Sequence, residues 1–267
     1  MARVSGHFGE WIQGRLGPEG QLALVTLVCK DLAVEAELVG AGELAVLQEP
    51  HVLDPKQIAS HFSALDLLPA KFRLRAGMPP GGGAGASTAA LVALALAGER
   101  DGRSFDPAEL AKACLAVEGA TDPLMFPAPD RVLWAPREAV LLETLPPPPE
   151  AEILGGFWGA PQRTDPRDLE FPDVSDLVAQ WRAGPDLAEA ARLASQSAER
   201  CAALRGPAHD PTAELAARLG ALGHVRAHTG SARGLIFATG TVPRCAAETL
   251  ARSGMTGVIR FVTGGHD

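Results

Sequence analysis

The chain has 267 residues, of which 46% are hydrophobic and 21% are charged, as in a folded protein with a sizeable core. Its 24 basic and 32 acidic residues give a formal charge of −8 without a basic stripe, which argues against a nucleic-acid partner. The longest apolar run is about half of what spans a bilayer, and no signal peptide is recognisable, so we expect no membrane partner. The cysteines are widely spaced and predict buried thiols in a cytoplasmic protein: Cys29, Cys114, Cys201 and Cys245.

The first half of the sequence predicts a β-meander followed by helices. Strands are predicted at 10–16, 21–29, 32–39, 43–47, 71–76, 131–134 and 139–145, and helices at 54–68, 86–97 and 107–118. The helix at 86–97 is rich in Ala and Leu without internal Gly or Pro, and the helix at 107–118 begins with proline.

A run of four prolines, 146–149, cannot form a helix or a central strand, because it lacks amide hydrogens and its φ angles are fixed. We place a domain boundary there, with domains at 1–147 and 150–267. Beyond the run, strands are predicted at 152–157, 224–228, 233–238 and 258–263, and helices at 173–183, 186–204, 211–222 and 243–253. This order predicts a ferredoxin-like α+β sandwich.

A glycine-rich stretch lies between the strand at 71–76 and the helix at 86–97. Small residues allow backbone amides to approach a phosphate, and the positive end of the following helix favours negative charge. The candidate phosphate-binding residues are Pro80, Gly81, Gly82, Gly83, Ala84, Gly85, Ala86, Ser87 and Thr88. The two hydroxyls could meet a metal-bound or terminal phosphate oxygen.

Two other phosphate-binding motifs also use glycine-rich loops. A P-loop requires a lysine, and none occurs between Lys71 and Lys112. A dinucleotide fingerprint fits the glycine spacing formally, but the preceding strand alternates with Lys and Arg, and the next predicted element after the helix is another helix. A glycine-rich turn that only connects two elements remains as an alternative.

The stretch resembles motif 2 of the GHMP kinases, written Pro-x-x-x-Gly-x-Gly-Ser-Ser-Ala-Ala, with Ala86 in place of the first serine. The resemblance implies the α+β GHMP kinase fold. That fold has an N-terminal ribosomal S5-like domain containing a left-handed βαβ crossover, and a C-terminal ferredoxin-like domain. It also implies ATP and Mg²⁺ as cofactors.

A second segment, Gly9-Glu10-Trp11-Ile12-Gln13-Gly14, is similar to the N-terminal signature of the PduX-like L-threonine kinases of cobalamin biosynthesis. Strand alternation would place Glu10 and Ile12 on one face and Trp11 and Gln13 on the other. The resemblance suggests Glu10 and Gln13 as substrate-binding residues; a solvated edge strand is the alternative.

A third segment, 227–235, is similar to motif 3 of the same kinases, which there contains Ala-His-Ser-Gly-Thr. It predicts a tight turn between two strands, whose tip could approach a nucleotide or substrate. The candidate substrate-binding residues are His228, Thr229 and Gly230. A plain β-hairpin with a packed histidine is the alternative.

A fourth segment, 118–123, contains two acidic residues at a helix end. Gly119 could end the helix and Asp122 could cap a new turn. The family resemblance instead implies that Glu118, with Ser87, binds Mg²⁺ and that Asp122 is the catalytic base.

Together the segments support one hypothesis: an ATP-dependent kinase that converts L-threonine to O-phospho-L-threonine for adenosylcobalamin biosynthesis. Another GHMP kinase acting on homoserine or an isoprenoid alcohol is the first alternative. A non-catalytic nucleotide-binding protein on the same fold is the second. A small-molecule substrate is the expected partner, and a homodimer is left open.

Overall fold

The computed structural model describes residues 1–99 and 104–265. Its strands are β1 (Ala2–Arg15), β2 (Leu22–Ala41), β3 (Ala45–Glu49), β4 (Ala70–Ala76), β5 (Val132–Ala135), β6 (Val140–Thr144), β7 (Ala151–Phe157), β8 (Gly223–Arg226), β9 (Ala232–Phe237) and β10 (Thr256–Thr263). Its α-helices are α1 (Pro55–Ala64), α2 (Ala86–Ala97), α3 (Pro107–Glu118), α4 (Ser175–Trp181), α5 (Leu187–Arg205), α6 (Thr212–Leu219) and α7 (Ala246–Arg252).

One sheet runs through both halves of the chain in the order β10-β7-β9-β8-β1-β2-β4-β3, with β5 and β6 attached beside β2. The predicted strands at 21–29 and 32–39 are in fact the single strand β2. The chain continues because the register with β1 jumps there: Ser5 pairs with Ala33, but Gly6 pairs with Cys29. The intervening residues bulge without a turn, which local composition does not reveal.

The first half contains a βαβ crossover. Strands β3 and β4 pair in parallel, and α1 connects them. Asp54 caps α1 by accepting a hydrogen bond from the Gln57 amide, and Pro55 occupies its first turn. The nearly all-apolar helix α2 packs on β1 and β2, so its burial fixes the direction in which its N-terminus points.

The second half follows the β-α-β-β-α-β succession of a ferredoxin-like unit, with β7, β8, β9 and β10 as its strands. Neighbouring strands in this unit are antiparallel. It joins the first half where Glu10 of β1 pairs with Arg226 of β8. The boundary at the proline run stays a prediction.

The cysteine prediction was wrong at one position. Cys29, Cys114 and Cys201 are buried, but Cys245 is exposed because it precedes α7 on the outer side, whereas Ala246 and Leu250 face the core. Among the described residues, no helix has the length and apolarity needed to cross a membrane.

Candidate active site

The glycine-rich loop ends at the uncapped N-terminus of α2. Gly81, Gly83 and Gly85 have φ angles of +74°, +74° and +73°, a region that side chains disfavour. Gly85 is the N-cap of α2 and offers no side chain to its first amides. Those amides are therefore left for another acceptor.

The loop turns its carbonyls toward the protein. The carbonyl of Gly81 accepts a hydrogen bond from the Gln162 amide, that of Gly83 from Gly9, and that of Ala84 from His7. In contrast, within the part of the chain that the structure describes, the amides of 83–88 donate to no protein group. A row of amides free on one edge is the arrangement that binds a phosphate.

The acidic residues of the fourth segment lie beside this helix end. The Thr88 hydroxyl donates to Glu118 Oε2 at 2.9 Å and accepts from the Asp122 amide at 3.4 Å. Withdrawal from water raises the pKa of Glu118 to about 7, although bonds from Ser87 and Thr88 oppose this and Asp122 adds to it. Ser87, Thr88, Glu118 and Asp122 therefore form one cluster.

Asp122 is positioned by its own loop and by a histidine. Gly119 ends α3 with a φ of +70°, as expected, and Trp134 Nε1 donates to the Thr121 carbonyl at 2.6 Å. The side chain of Asp122 lies 3.3 Å from His7 Nε2, measured at Oδ2. Asp122 thus faces His7 and not the start of a new turn.

His7 is buried between two carboxylates. Its Nδ1 lies 3.2 Å from the Gly9 carbonyl and 3.6 Å from Glu10 Oε1. Burial alone would lower its pKa, but the charge and hydrogen bond of Asp122, with Glu10 and Gly9, raise the pKa of His7 to about 9. We therefore treat His7 as a cation at neutral pH.

Glu10 and Gln13 lie on an interior, irregular strand, so the edge-strand alternative was wrong. The expected alternation also fails: register shifts flank Glu10, so that Glu10 and Gln13 line the same cavity while Trp11 and Ile12 enter the core. Burial raises the pKa of Glu10 to about 7, with His7 opposing and Asp122 adding to this effect. Glu10 Oε2 and Gln13 Oε1 have no hydrogen-bond partner among the described residues.

Strands β8 and β9 form the expected hairpin, and its tip supports the glycine loop. The Gly82 carbonyl accepts from the amides of Ser231 and Ala232, and Gly230 packs directly on Gly83. His228 stacks on Phe171 with ring centroids 5.1 Å apart. Burial, reinforced by Arg226 and Arg205, holds the pKa of His228 well below its usual range, so this histidine is neutral.

These groups share one cavity of about 300 Å³. The predicted residues that line it are Glu10, Gln13, Pro80, Gly81, Gly83, Ala84, Gly85, Ala86, Ser87, Thr88, Glu118, Asp122 and Thr229. The remaining three lie just behind the wall: Gly82, His228 and Gly230. The structure thus brings the four segments together.

The residues present fit ATP and Mg²⁺. The free amides and the cavity suit a triphosphate, and Glu118 is a carboxylate with hydroxyl neighbours and no cationic partner within the described ranges. Mg²⁺ takes few protein oxygens and completes its shell with phosphate and water. No cluster of three or more His, Cys, Asp or Glu side chains capable of holding a metal occurs in 1–99 and 104–265.

Two charged residues, His7 and Arg137, are among the cavity-wall residues that sequence reasoning missed. His7 had a usable signal, because it stands only three residues before Glu10, just ahead of the first predicted strand. Arg137 had none, since its turn joins two weakly predicted strands.

Residues 55–126 match the family model for the GHMP kinases N terminal domain. A mevalonate kinase structure aligns with a TM-score of 0.64 and 10% identity, covering 99% of each chain. The Methanococcus jannaschii mevalonate kinase aligns with a TM-score of 0.60 and 11% identity, covering 99% of this chain and 98% of its own. The homoserine kinase from Cytophaga hutchinsonii aligns with a TM-score of 0.57 and 15% identity, covering 98% and 94%. A sequence comparison with curated proteins gave no match.

The domain match includes the glycine loop, Glu118 and Asp122, and the solved structures reproduce the architecture of the whole chain. The protein has the GHMP kinase fold, and these comparisons indicate a small-molecule kinase.

Proposed function

We propose that this protein transfers the γ-phosphoryl group of ATP to the hydroxyl of a small molecule, and that the acceptor is L-threonine. One observation carries the proposal: a row of amides without partners among the described residues lies beside a carboxylate pair, Glu118 and Asp122, in one cavity. Phosphoryl transfer requires mainly positioning and charge neutralisation, which these groups supply.

The loop 80–88 would hold the triphosphate through its amides and the dipole of α2. Ser87 and Glu118 would hold Mg²⁺, which when bound neutralises charge on the phosphate oxygens. The hydroxyl of Thr88 keeps Glu118 in place from behind.

Asp122 accepts the proton of the acceptor hydroxyl. As the hydroxyl oxygen forms its bond to the γ-phosphorus, the bond from that phosphorus to the ADP oxygen breaks, and the proton passes to the Asp122 carboxylate. A carboxylate is a weak base toward an alcohol, so the proton moves late in this step. His7, 3.3 Å from Asp122, is a positioning residue that orients this carboxylate.

An amino acid suits this site as the acceptor, because Glu10, Gln13 and Thr229 offer polar groups in the same cavity as Asp122. His228 and Gly230 shape that wall from behind. The resemblance of 9–14 and 227–235 to L-threonine kinases suggests threonine and a role in adenosylcobalamin biosynthesis. The cytoplasmic location and the homodimer also stay predictions.

The test is ADP release by the full chain with Mg²⁺ and ATP over L-threonine, L-serine, L-homoserine and mevalonate, with the product identified by mass spectrometry. We expect the highest kcat/KM with L-threonine, and Asp122→Asn as an inactive control that still binds ATP. A preference for another acceptor would refute threonine alone. ATP binding without turnover of any acceptor would refute the kinase and favour a nucleotide-binding protein.

A further inference from the structure

Arg137 projects from the turn between β5 and β6 into the wall of the cavity. The neighbouring Pro136 carbonyl accepts a hydrogen bond from the Thr121 amide at 2.9 Å, which ties this turn to the loop that carries Asp122. Arg137 therefore lies in the cavity wall on a turn that is tied to the loop carrying the proposed base.

Among the described residues, only one nitrogen of the Arg137 guanidinium, Nη2, has hydrogen-bond partners. Its Nη2 donates to the carbonyls of Asp165 and Asp168, at 3.1 and 3.2 Å. Its Nε and Nη1 are buried and have no hydrogen-bond partner among the described residues. Leaving buried charged donors unpaired is costly, and donors without a protein acceptor normally bond to water or to a bound ligand.

The nearby carboxylates are already engaged. Asp165 pairs with Arg167, and Asp168 pairs with Arg205. Burial lowers the pKa of Arg137, although Asp168, Asp165 and Glu138 oppose this. The guanidinium remains a cation with unpaired N–H donors at Nε and Nη1, and a carboxylate oxygen is a strong acceptor for such charged donors.

Another part of the cavity wall carries hydrogen-bond acceptors. Glu10 Oε2 and Gln13 Oε1 are buried acceptors without partners among the described residues, and Glu10 is an acid. An ammonium group donates three hydrogen bonds and would satisfy both oxygens. A pocket that leaves a cation and two acceptor oxygens, one of them on an acid, without partners among the described residues is complementary to a zwitterion.

We infer that Arg137 binds the carboxylate of the acceptor while Glu10 and Gln13 bind its ammonium group, so that the acceptor is a free hydroxy-α-amino acid. This inference rests on the proposed kinase function and deepens it. It makes Arg137 a specificity residue of the acceptor pocket, and it separates amino acids from hydroxy acids that lack the amine.

The first test compares the chain with Arg137→Gln on L-threonine, on L-threoninol, which lacks the carboxylate, and on 3-hydroxybutyrate, which lacks the amine. A site built for a polar group rejects analogues lacking that group by large factors, so we expect kcat/KM for either analogue to fall at least a hundredfold. Arg137→Gln should raise the KM for L-threonine about a hundredfold and leave the KM for ATP unchanged. Its activity on L-threoninol should not change.

Two variants complete the design. Glu10→Gln should weaken the use of L-threonine but not of 3-hydroxybutyrate. Arg167→Gln, which alters an exposed arginine near the same loop, should behave as the unmodified protein. Melting temperatures of all variants show that the fold is retained.

A binding measurement separates this inference from the kinase proposal. Calorimetric titration of the three compounds into the chain, with a non-hydrolysable ATP analogue present, needs no turnover. Binding of L-threonine that is lost in Arg137→Gln supports the inference even when no phosphorylation occurs. Unchanged binding in Arg137→Gln, equal binding of L-threoninol, or a rise in the KM for ATP alone would overturn it.

Discussion

The two ends of the cavity are built from different kinds of groups. At the nucleotide end, backbone amides of 83–88 face the cavity and side chains are small. At the acceptor end, the polar groups are side chains from distant segments, among them His7, Asp122 and Arg137. The difference teaches that the proposed phosphate donors come from one continuous loop, whereas the polar groups at the proposed acceptor end come together only in the assembled fold.

The largest expected effect is on Asp122. Replacing Asp122 with Asn removes the proton acceptor but keeps the shape, so kcat should fall about a thousandfold. The affinity for ATP should stay within a factor of two or so, because the amides of the loop are untouched. Steady-state kinetics and ATP titration test both statements; unchanged turnover would remove Asp122 from its assigned role.

Substituting Gly83 should damage the nucleotide end of the cavity. A Cβ on Gly83 would lie 2.3 Å from the Ala227 Cβ and 2.5 Å from the Thr229 carbonyl oxygen, at a φ of +74°. Gly83→Ala should therefore weaken ATP binding at least tenfold and cost about 1–3 kcal/mol of unfolding free energy. Gly40→Ala is the control. A Cβ on Gly40 meets no atom within 4 Å, and the φ of Gly40 lies outside the positive region that Gly83 occupies. Equal ATP affinity in both variants would contradict the arrangement of the loop.

The charge of His7 should have a smaller effect than the two changes above, and this effect on stability depends on pH. Its pKa is raised from 6.5 to about 9 in the folded protein, so its stabilising contribution is complete below about pH 6.5 and is lost as the pH rises through 9. Urea unfolding between pH 7 and 9.5 should show this loss, and His7→Gln should not show it.

The same variant tests the positioning role. His7→Gln should lower kcat about tenfold at pH 7 and abolish the decline of kcat near pH 9. A pH profile identical to that of the unmodified protein would mean that His7 only fills space.

The smallest expected effect concerns Thr88, whose hydroxyl connects the two ends. Thr88→Val removes the bond to Glu118 at 2.9 Å, and this bond helps to hold the pKa of Glu118 down. We expect kcat to fall a few-fold and the Mg²⁺ concentration for half-maximal rate to rise, with Thr88→Ser close to the unmodified protein. Equal Mg²⁺ dependence in both variants would disconnect Thr88 from the metal.

The features that could be predicted from the sequence are the local ones, and the features that could not are those that the assembled fold creates. The glycine loop, α2 and α3 depend on neighbouring residues, and α2 and α3 begin and end where local composition predicts. The placement of Gln13 beside Glu10 could not be predicted, because it depends on how β1 and β2 shift register. His7 and Arg137 acquire their surroundings from segments more than a hundred and about thirty residues away, which no local pattern records.

The contact of Gly230 with Gly83, together with the bonds from Ser231 and Ala232 to the Gly82 carbonyl, makes the β8–β9 hairpin a brace for the glycine loop. A fragment cut at the proline run would carry every residue of the loop and still lack this brace. Both halves of the chain therefore hold the glycine loop in place. We expect that truncating or exchanging either half weakens nucleotide binding.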